Sequence, residues 1–205
     1  LFPMYYFVEG GYALNIVAYV GAFSSLFAAI IALTQTDIKR VLAFSTMSQI
    51  GYMMLALGVS SYKGHEGVGY MASMFHLFTH AMFKALLFLG AGSVIHAVHS
   101  NYLKDMGSLR KYMPITNITF LIAALAIAGV PPFAGFWSKD EILVAAFEKN
   151  QLLYFVGLFV AGLTAFYMFR LYFGIFWGKE TKYHHPPHES PMSMAFPLLF
   201  LALMS

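Results

Sequence analysis

The sequence predicts an all-α, polytopic membrane protein: a bundle of about five to six transmembrane helices, one of them discontinuous. Charged residues are 10% of the 205-residue chain and hydrophobic residues are 60%, whereas roughly a quarter of a soluble domain is charged. The apolar residues form long runs without the alternation of barrel strands. This excludes soluble and disordered classes, and the lack of cysteine excludes disulfide scaffolds and thiolate metal sites.

Five apolar segments approach or exceed the length of about 20 residues that a spanning helix needs. They are residues 11–34, 41–60, 68–97, 113–130 and 151–177. A sixth begins near Ser190. Because the chain starts at Leu1 and stops inside this last run, we expect an internal piece of a longer protein. Residues 1–189 are assigned to one membrane domain and residues 190–205 to the start of a further helix.

Prolines and glycines interrupt the fourth segment. Gly129–Gly135 contains two consecutive prolines, which remove backbone donors and clash with a preceding helical turn. The next stretch, Ser138–Lys149, has a helical pattern but is too short to cross the bilayer. We expect Gly135 to make the turn and Ser138 to cap this stretch, with Glu141 as its capping-box partner. The result is one discontinuous helix, a feature that membrane transporters place at their transport sites.

Basic residues predict the orientation. The loops after the first, third and fifth segments are basic, whereas the loop after the second contains only Lys63. The basic residues are Lys39 and Arg40, then Lys104, Arg110 and Lys111, then Lys179 and Lys182. These loops share one side of the membrane only if the discontinuous helix crosses once. The positive-inside rule makes that side cytoplasmic, or its equivalent in an organelle.

The third segment carries the strongest functional signal. His76, His80 and Lys84 are spaced four residues apart and therefore share one helix face, with Ser73 on the same side. Lys84 lies near the bilayer centre, where a cation is costly and cannot reach either surface. We interpret the three side chains as a protonatable relay. One alternative is a lysine held structurally by a carbonyl or carboxylate; another is a metal site at both histidines, which the adjacent ammonium disfavours.

Four polar residues share one face of the second segment: Ser45, Ser48, Gln49 and Tyr52. Two interpretations are open. They form hydrogen bonds between helices, as is common in membrane bundles, or they line a hydrated path facing the histidines and lysine of the third segment.

Lys139 and Asp140 follow the helix break. Lys139 lies either in a wet loop on the far side or inside the bundle at the start of the second half-helix. In the second case the positive end of the helix dipole disfavours the ammonium, and Asp140 is the nearest candidate counter-charge.

Three stretches of sequence resemble one known family. They are Gln35–Met53, His76–Leu89 and Gly129–Leu143. All three are similar to the antiporter-like subunits of proton-pumping NADH:quinone oxidoreductase, respiratory complex I. The similarity covers essentially the whole chain, which would form most of the second of the two inverted five-helix repeats of such a subunit.

The resemblance implies a function for the buried residues. Lys84 and Lys139 would belong to a hydrated proton path along the membrane mid-plane, with His76 and His80 as bridges and Asp140 beside the terminal lysine. No cofactor is expected in this chain, since NADH, FMN, iron–sulfur clusters and quinone belong to other subunits. The implied partners are the lipid bilayer and other membrane-arm subunits, especially the neighbouring antiporter-like one, and no nucleic acid.

Related families share these motifs. The alternative function is the large subunit of a multi-subunit cation/proton antiporter or of a membrane-bound hydrogenase. The expected location is a bacterial inner membrane, with an energy-transducing organelle membrane as the other possibility.

Overall fold

The structure is a computed structural model that describes residues 12–60, 67–179, 183 and 186–205. These residues form seven α-helices and two short 3₁₀ helices, Leu103–Asp105 and Leu109–Lys111. The α-helices are α1 (Tyr12–Thr34), α2 (Ile38–Gly58), α3 (Val68–Val98), α4 (Pro114–Ala128), α5 (Ala134–Lys149), α6 (Gln151–Phe176) and α7 (Met192–Met204). The predicted all-α class is confirmed.

Helices α1, α2, α3 and α6 are long and apolar enough to cross a membrane. Their ends lie within about three residues of the predicted ones, because long apolar runs define helices well. Asp37 begins α2 as its N-cap, and its carboxylate accepts from the backbone N–H groups of Lys39 at 2.8 Å and Arg40 at 3.1 Å. Helices α4 and α5 are the two pieces of the interrupted helix.

The loops with the basic residues meet at one end of the bundle. The backbone of Leu103 donates to Thr36 at 2.9 Å, which joins the loop after α1 to the loop after α3. Ser108 donates to the carbonyl of Gly178 at 2.9 Å, which adds the end of α6. Since α4 begins at this end and α6 also finishes there, α4 and α5 together lead once from this end of the bundle to the other. Lys63 and Lys182 lie outside the described residues.

The break between α4 and α5 is shorter than predicted. Helix α4 ends at Ala128, and its C-cap is Gly129, whose φ of 80° is the left-handed conformation that glycine adopts without strain. Helix α5 already begins at Ala134, whose N–H donates to the carbonyl of Ser205 at 2.8 Å. Two predictions were therefore wrong: Gly135 is helical and makes no turn, and Ser138 lies within α5 and does not cap it.

Small residues bring α1 and α2 into close contact. A Cβ atom on Gly21 would lie 2.5 Å from the Leu55 nitrogen, and one on Gly51 would lie 2.6 Å from the Ser25 nitrogen. Backbones that approach this closely are typical of membrane helix pairs. This packing fixes the position of α2, which carries four of the polar side chains considered below.

Two charged side chains stabilise helix ends at the basic side of the bundle. Arg170 donates to the carbonyls of Gln35 at 2.6 Å and Ala32 at 3.3 Å, at the C-terminal end of α1. Glu189 accepts from the N–H of Ile115 at 2.8 Å and from the hydroxyl of Thr116 at 2.6 Å, at the start of α4. Each charge has the sign that the helix dipole favours.

Replacement of Glu189 by alanine should destabilise the protein by about 1–2 kcal/mol, because the first N–H groups of α4 lose their acceptor. The thermal unfolding midpoint of the complete protein in detergent measures this effect. Glu148→Ala, at an exposed carboxylate of α5, is the control and should leave the midpoint unchanged. Equal midpoints for both variants would contradict the proposed capping by Glu189.

Candidate functional site

Lys84 is buried in the bundle with 5% of its surface exposed. Its ammonium donates to the Leu42 carbonyl at 2.9 Å and to the Ser45 hydroxyl, both on α2, and lies 5.8 Å from the ring centre of Phe88. None of these partners is an anion. The contact with the carbonyl is compatible with a purely structural role of Lys84. It is equally compatible with a role of Lys84 as a proton relay. Replacement of Lys84 separates the two interpretations, as described in the Discussion.

His76 joins three helices through its two ring nitrogens. Its Nε2 lies 3.0 Å from Oε1 of Gln49 on α2, and its Nδ1 lies 2.8 Å from the hydroxyl of Ser138 on α5. Because both nitrogens have protein partners, neither is free for a metal ion in this arrangement.

His80 lies one turn further along α3. Its ring centre is 6.2 Å from that of His76 and 5.5 Å from that of Phe83. Its Nε2 is buried, with no hydrogen-bond partner among the described residues. A buried nitrogen without a partner is costly unless water or a proton carrier reaches it. His80 is thus placed between His76 and Lys84, one turn from each, with a free site for a hydrogen bond.

Lys139 lies inside the protein, with 4% of its surface exposed. Its ammonium donates to the carbonyl of Ile127 at 2.5 Å, in the last turn of α4. The last carbonyls of a helix have no partner within that helix and carry partial negative charge. The predicted position inside the bundle is therefore correct, and the contact of Lys139 with the negative end of α4 is an interaction that the sequence analysis did not include.

Asp140 does not share the buried position of Lys139. It is exposed, together with Glu141, and both line an open cavity of about 520 Å³ with Gly67, Val68, Met71 and Val144. Successive residues of a helix are separated by about 100°, so Asp140 leaves the face that Lys139 occupies. The structure does not bring Asp140 to the lysine as its counter-charge.

The predicted polar face of α2 divides into two sets. Ser45 and Gln49 contact Lys84 and His76. Ser48 instead exchanges hydrogen bonds with Ser25 of α1: its hydroxyl donates to the Ser25 carbonyl at 2.9 Å, and its carbonyl accepts from the Ser25 hydroxyl at 2.7 Å. The first interpretation, hydrogen bonding between helices, therefore applies to Ser48. Ser45 and Gln49 instead face the histidines and lysine of α3.

Tyr52 and Ser73 are both buried near the histidines. The ring centre of Tyr52 lies 6.1 Å from that of His76, and its hydroxyl has no partner among the described residues. Ser73 lies one turn before His76 on α3, with 9% of its surface exposed. A role of either residue in lining a path stays a prediction.

Three hydroxyl groups of the site were missed in the sequence. Ser138 was interpreted as a helix cap, but it binds His76 and lies 3.0 Å from the hydroxyl of Thr79. Thr164 on α6 lies 3.3 Å from the amide of Gln49. Two features of the sequence could have identified Thr164 and Thr79. Thr164 is a polar residue within the apolar run of α6, and Thr79 lies three residues after His76, which places it near His76 on α3.

Together these features define an antiporter-like membrane subunit: a helix bundle with an interrupted helix, and lysines and histidines buried against it. The chain belongs to the NADH:quinone oxidoreductase/Mrp antiporter transmembrane family, since the sequence model of that family, Proton_antipo_M, matches residues 1–164. The resemblance inferred from the motifs is confirmed, as is the assignment to a membrane-spanning protein.

Similar sequences occur in cyanobacteria and chloroplasts. NAD(P)H-quinone oxidoreductase chain 5 of Picosynechococcus sp. is 52% identical over 223 residues, which cover 94% of this chain and 32% of the relative. The chloroplastic subunit 5 of Chaetosphaeridium globosum is 50% identical over 202 residues, covering 91% and 29%. The chain thus spans about a third of the length of the curated relatives it matches.

Two solved structures have a similar fold. A chain of the membrane-bound sulfane sulfur reductase, an archaeal respiratory membrane complex, is 32% identical with a TM-score of 0.86, and the match covers 95% of this chain and 31% of that one. A chain of the Mrp complex from Dietzia sp. also has a TM-score of 0.86, with coverage of 98% and 45%. At 24% identity, the second match shows the fold alone.

Proposed function

We propose that this chain is part of a membrane-arm subunit of NAD(P)H-quinone oxidoreductase and carries protons across the membrane by means of Lys84, His80, His76 and Lys139. Electron transfer in other subunits would drive the movement. The observation that carries the proposal is the burial of two lysines near two neighbouring histidines. Each lysine is at most 5% exposed, and neither has an anionic partner among the described residues. A purely structural membrane helix has no need of such cations.

The positions of these side chains support a path between the two lysines. Lys84 and His80 are one turn apart on α3, and His76 reaches Ser138, the residue before Lys139, at 2.8 Å. The interrupted helix supports a role in transport, because the carbonyls freed at the break are polar partners within the bundle. Ser45, Gln49 and Tyr52 would line this path.

Other parts of the complex would supply the redox chemistry. NADH, FMN, iron–sulfur clusters and quinone are assigned to other subunits, and the neighbouring antiporter-like subunit is the expected partner within the membrane. Large apolar side chains are exposed on α1 and α6, among them Phe23, Phe27, Phe155 and Phe159. Lipid or neighbouring subunits would cover these faces. Residues 1–189 would form most of the second five-helix repeat of the subunit.

The experiment that tests this function uses the complete subunit assembled in its complex and reconstituted into liposomes. With NADH or NADPH and quinone present, we expect proton movement that stops when the electron donor is withheld. The family and the fold shared with the Mrp complex support a second function, cation/proton antiport. That function predicts Na⁺-driven proton movement without an electron donor, a result that would overturn the main proposal.

His80→Gln should reduce proton translocation several-fold, which is less than the effect of removing Lys84. Glutamine keeps one donor and one acceptor and can still order water, but it cannot carry a proton as imidazolium. Translocation per assembled complex is the measurement. His96→Gln, at an exposed histidine near the end of α3, serves as the control and should have no effect. If His80→Gln reduced proton translocation as completely as Lys84→Ala, the expected order of the two effects would be wrong.

A further inference from the structure

The hydrogen bonds around His76 identify which of its nitrogens carries the proton. A neutral imidazole has one N–H donor and one acceptor nitrogen, and the partners decide which is which. Here Nε2 faces the amide of Gln49 at 3.0 Å and Nδ1 faces the hydroxyl of Ser138 at 2.8 Å. A hydroxyl can donate or accept. The orientation of the Gln49 amide therefore decides the tautomer.

Thr164 determines the orientation of that amide. Its hydroxyl has a single proton, which it donates to the carbonyl of Val160 at 2.8 Å. Toward Gln49, 3.3 Å away, Thr164 can therefore only accept, so the NH₂ group of Gln49 faces Thr164. The carbonyl oxygen of Gln49 then faces His76 and accepts from Nε2–H. Tyr167 donates to the same threonine oxygen at 3.4 Å, which completes its partners.

We propose that Gln49, held by Thr164, is a positioning residue that fixes the Nε2-protonated tautomer of His76 and so makes Nδ1 the nitrogen that takes up a proton. This inference rests on the proposed proton path and adds a direction to it. Nδ1 is the nitrogen that faces Ser138, at the break between α4 and α5. His76 would therefore exchange its mobile proton on the side of Lys139.

The same site accommodates the protonated state with little movement. When Nδ1 gains a proton, the ring gains one positive charge and both N–H groups donate, one to Gln49 and one to Ser138. The Ser138 hydroxyl then rotates toward the carbonyl of Gly135, at 3.4 Å. A single hydroxyl rotation is the only change required, since the Gln49 oxygen accepts from Nε2–H in both states.

The tautomer can be measured in the resting complex without turnover. Infrared or ¹⁵N NMR spectra of the assembled complex with labelled histidine report it, and the His76→Gln variant assigns the signal. We expect the Nε2–H form in the wild type. Gln49→Met removes the acceptor and should give a mixture of tautomers and a several-fold loss of translocation.

Variants of Thr164 test whether this residue orients the Gln49 amide. Thr164→Val frees the Gln49 amide to rotate and should also give mixed tautomers, whereas Thr164→Ser keeps the hydroxyl and should restore the wild-type spectrum. Ser93→Ala removes a buried hydroxyl of α3 that donates to the carbonyl of Leu89, away from Gln49, and should leave the tautomer unchanged. An Nδ1–H form in the wild type, or an unchanged spectrum in Gln49→Met, would overturn the inference. Absence of proton translocation in the wild type would refute the proposed function alone, since the spectrum does not depend on it.

Discussion

Replacing Lys84 by alanine should reduce proton translocation at least about tenfold while leaving insertion and assembly intact. A positioned group that transfers protons contributes at least this much. Insertion should not suffer, because a lysine at the bilayer centre costs about 2.5–3.5 kcal/mol on insertion scales. The Leu42 carbonyl also keeps two donors, Ser45 at 2.8 Å and Thr46 at 3.0 Å, so the variant leaves no unpaired oxygen there.

This experiment separates a relay lysine from a structural one. Proton movement per assembled complex and the amount of assembled complex are measured in the same preparation. Lys39→Ala, at an exposed lysine in the first turn of α2, is the matched control. Were Lys84 structural, its loss would lower the amount of complex while each assembled complex pumped at the wild-type rate, and that result would remove Lys84 from the path.

The Gly135→Ala substitution adds a single methyl group, yet it should disrupt the site severely. A Cβ atom at this position would lie 1.8 Å from the carbonyl oxygen of Ala126, so α4 and α5 must separate. Inserting a methyl group into a packed interior costs about 1–3 kcal/mol, and a backbone atom cannot move aside as a side chain can. We expect a large loss of assembled protein.

The same separation should pull Lys139 away from the Ile127 carbonyl, so the protein that does assemble should translocate protons poorly. Gly162→Ala is the control, because an added Cβ there meets nothing within 4 Å and alanine favours the helix. Yield and thermal midpoint in detergent measure both variants. Equal behaviour of the two would show that α4 and α5 do not need their close contact.

The sequence was sufficient to predict the helices and the shared face of α3. Long apolar runs define spanning helices, and the prolines at 131 and 132 interrupt a helix wherever it lies. His76, His80 and Lys84 share a face by helix geometry alone, so their common position did not depend on the rest of the fold.

The partners across helices could not be predicted in the same way. Ser45 and Ser48 are three residues apart on α2, yet one faces Lys84 and the other faces Ser25. Only the packing of α1 and α3 against α2 decides between them. The position of Asp140 could have been predicted from the sequence. Asp140 follows Lys139 on the same helix, and the rotation of about 100° per residue places the two side chains on different faces.

The carbonyl partners of Lys84 and Lys139 have a consequence for the number of protons that move. In an ion pair between a lysine and a carboxylate, the two groups titrate together, and the macroscopic steps belong to the pair. Neither lysine has a carboxylate bound to it among the described residues; each is held by a main-chain oxygen, which has no proton to exchange. In the proposed path, proton uptake by either lysine would therefore require no carboxylate bound to it to change its charge in the same step.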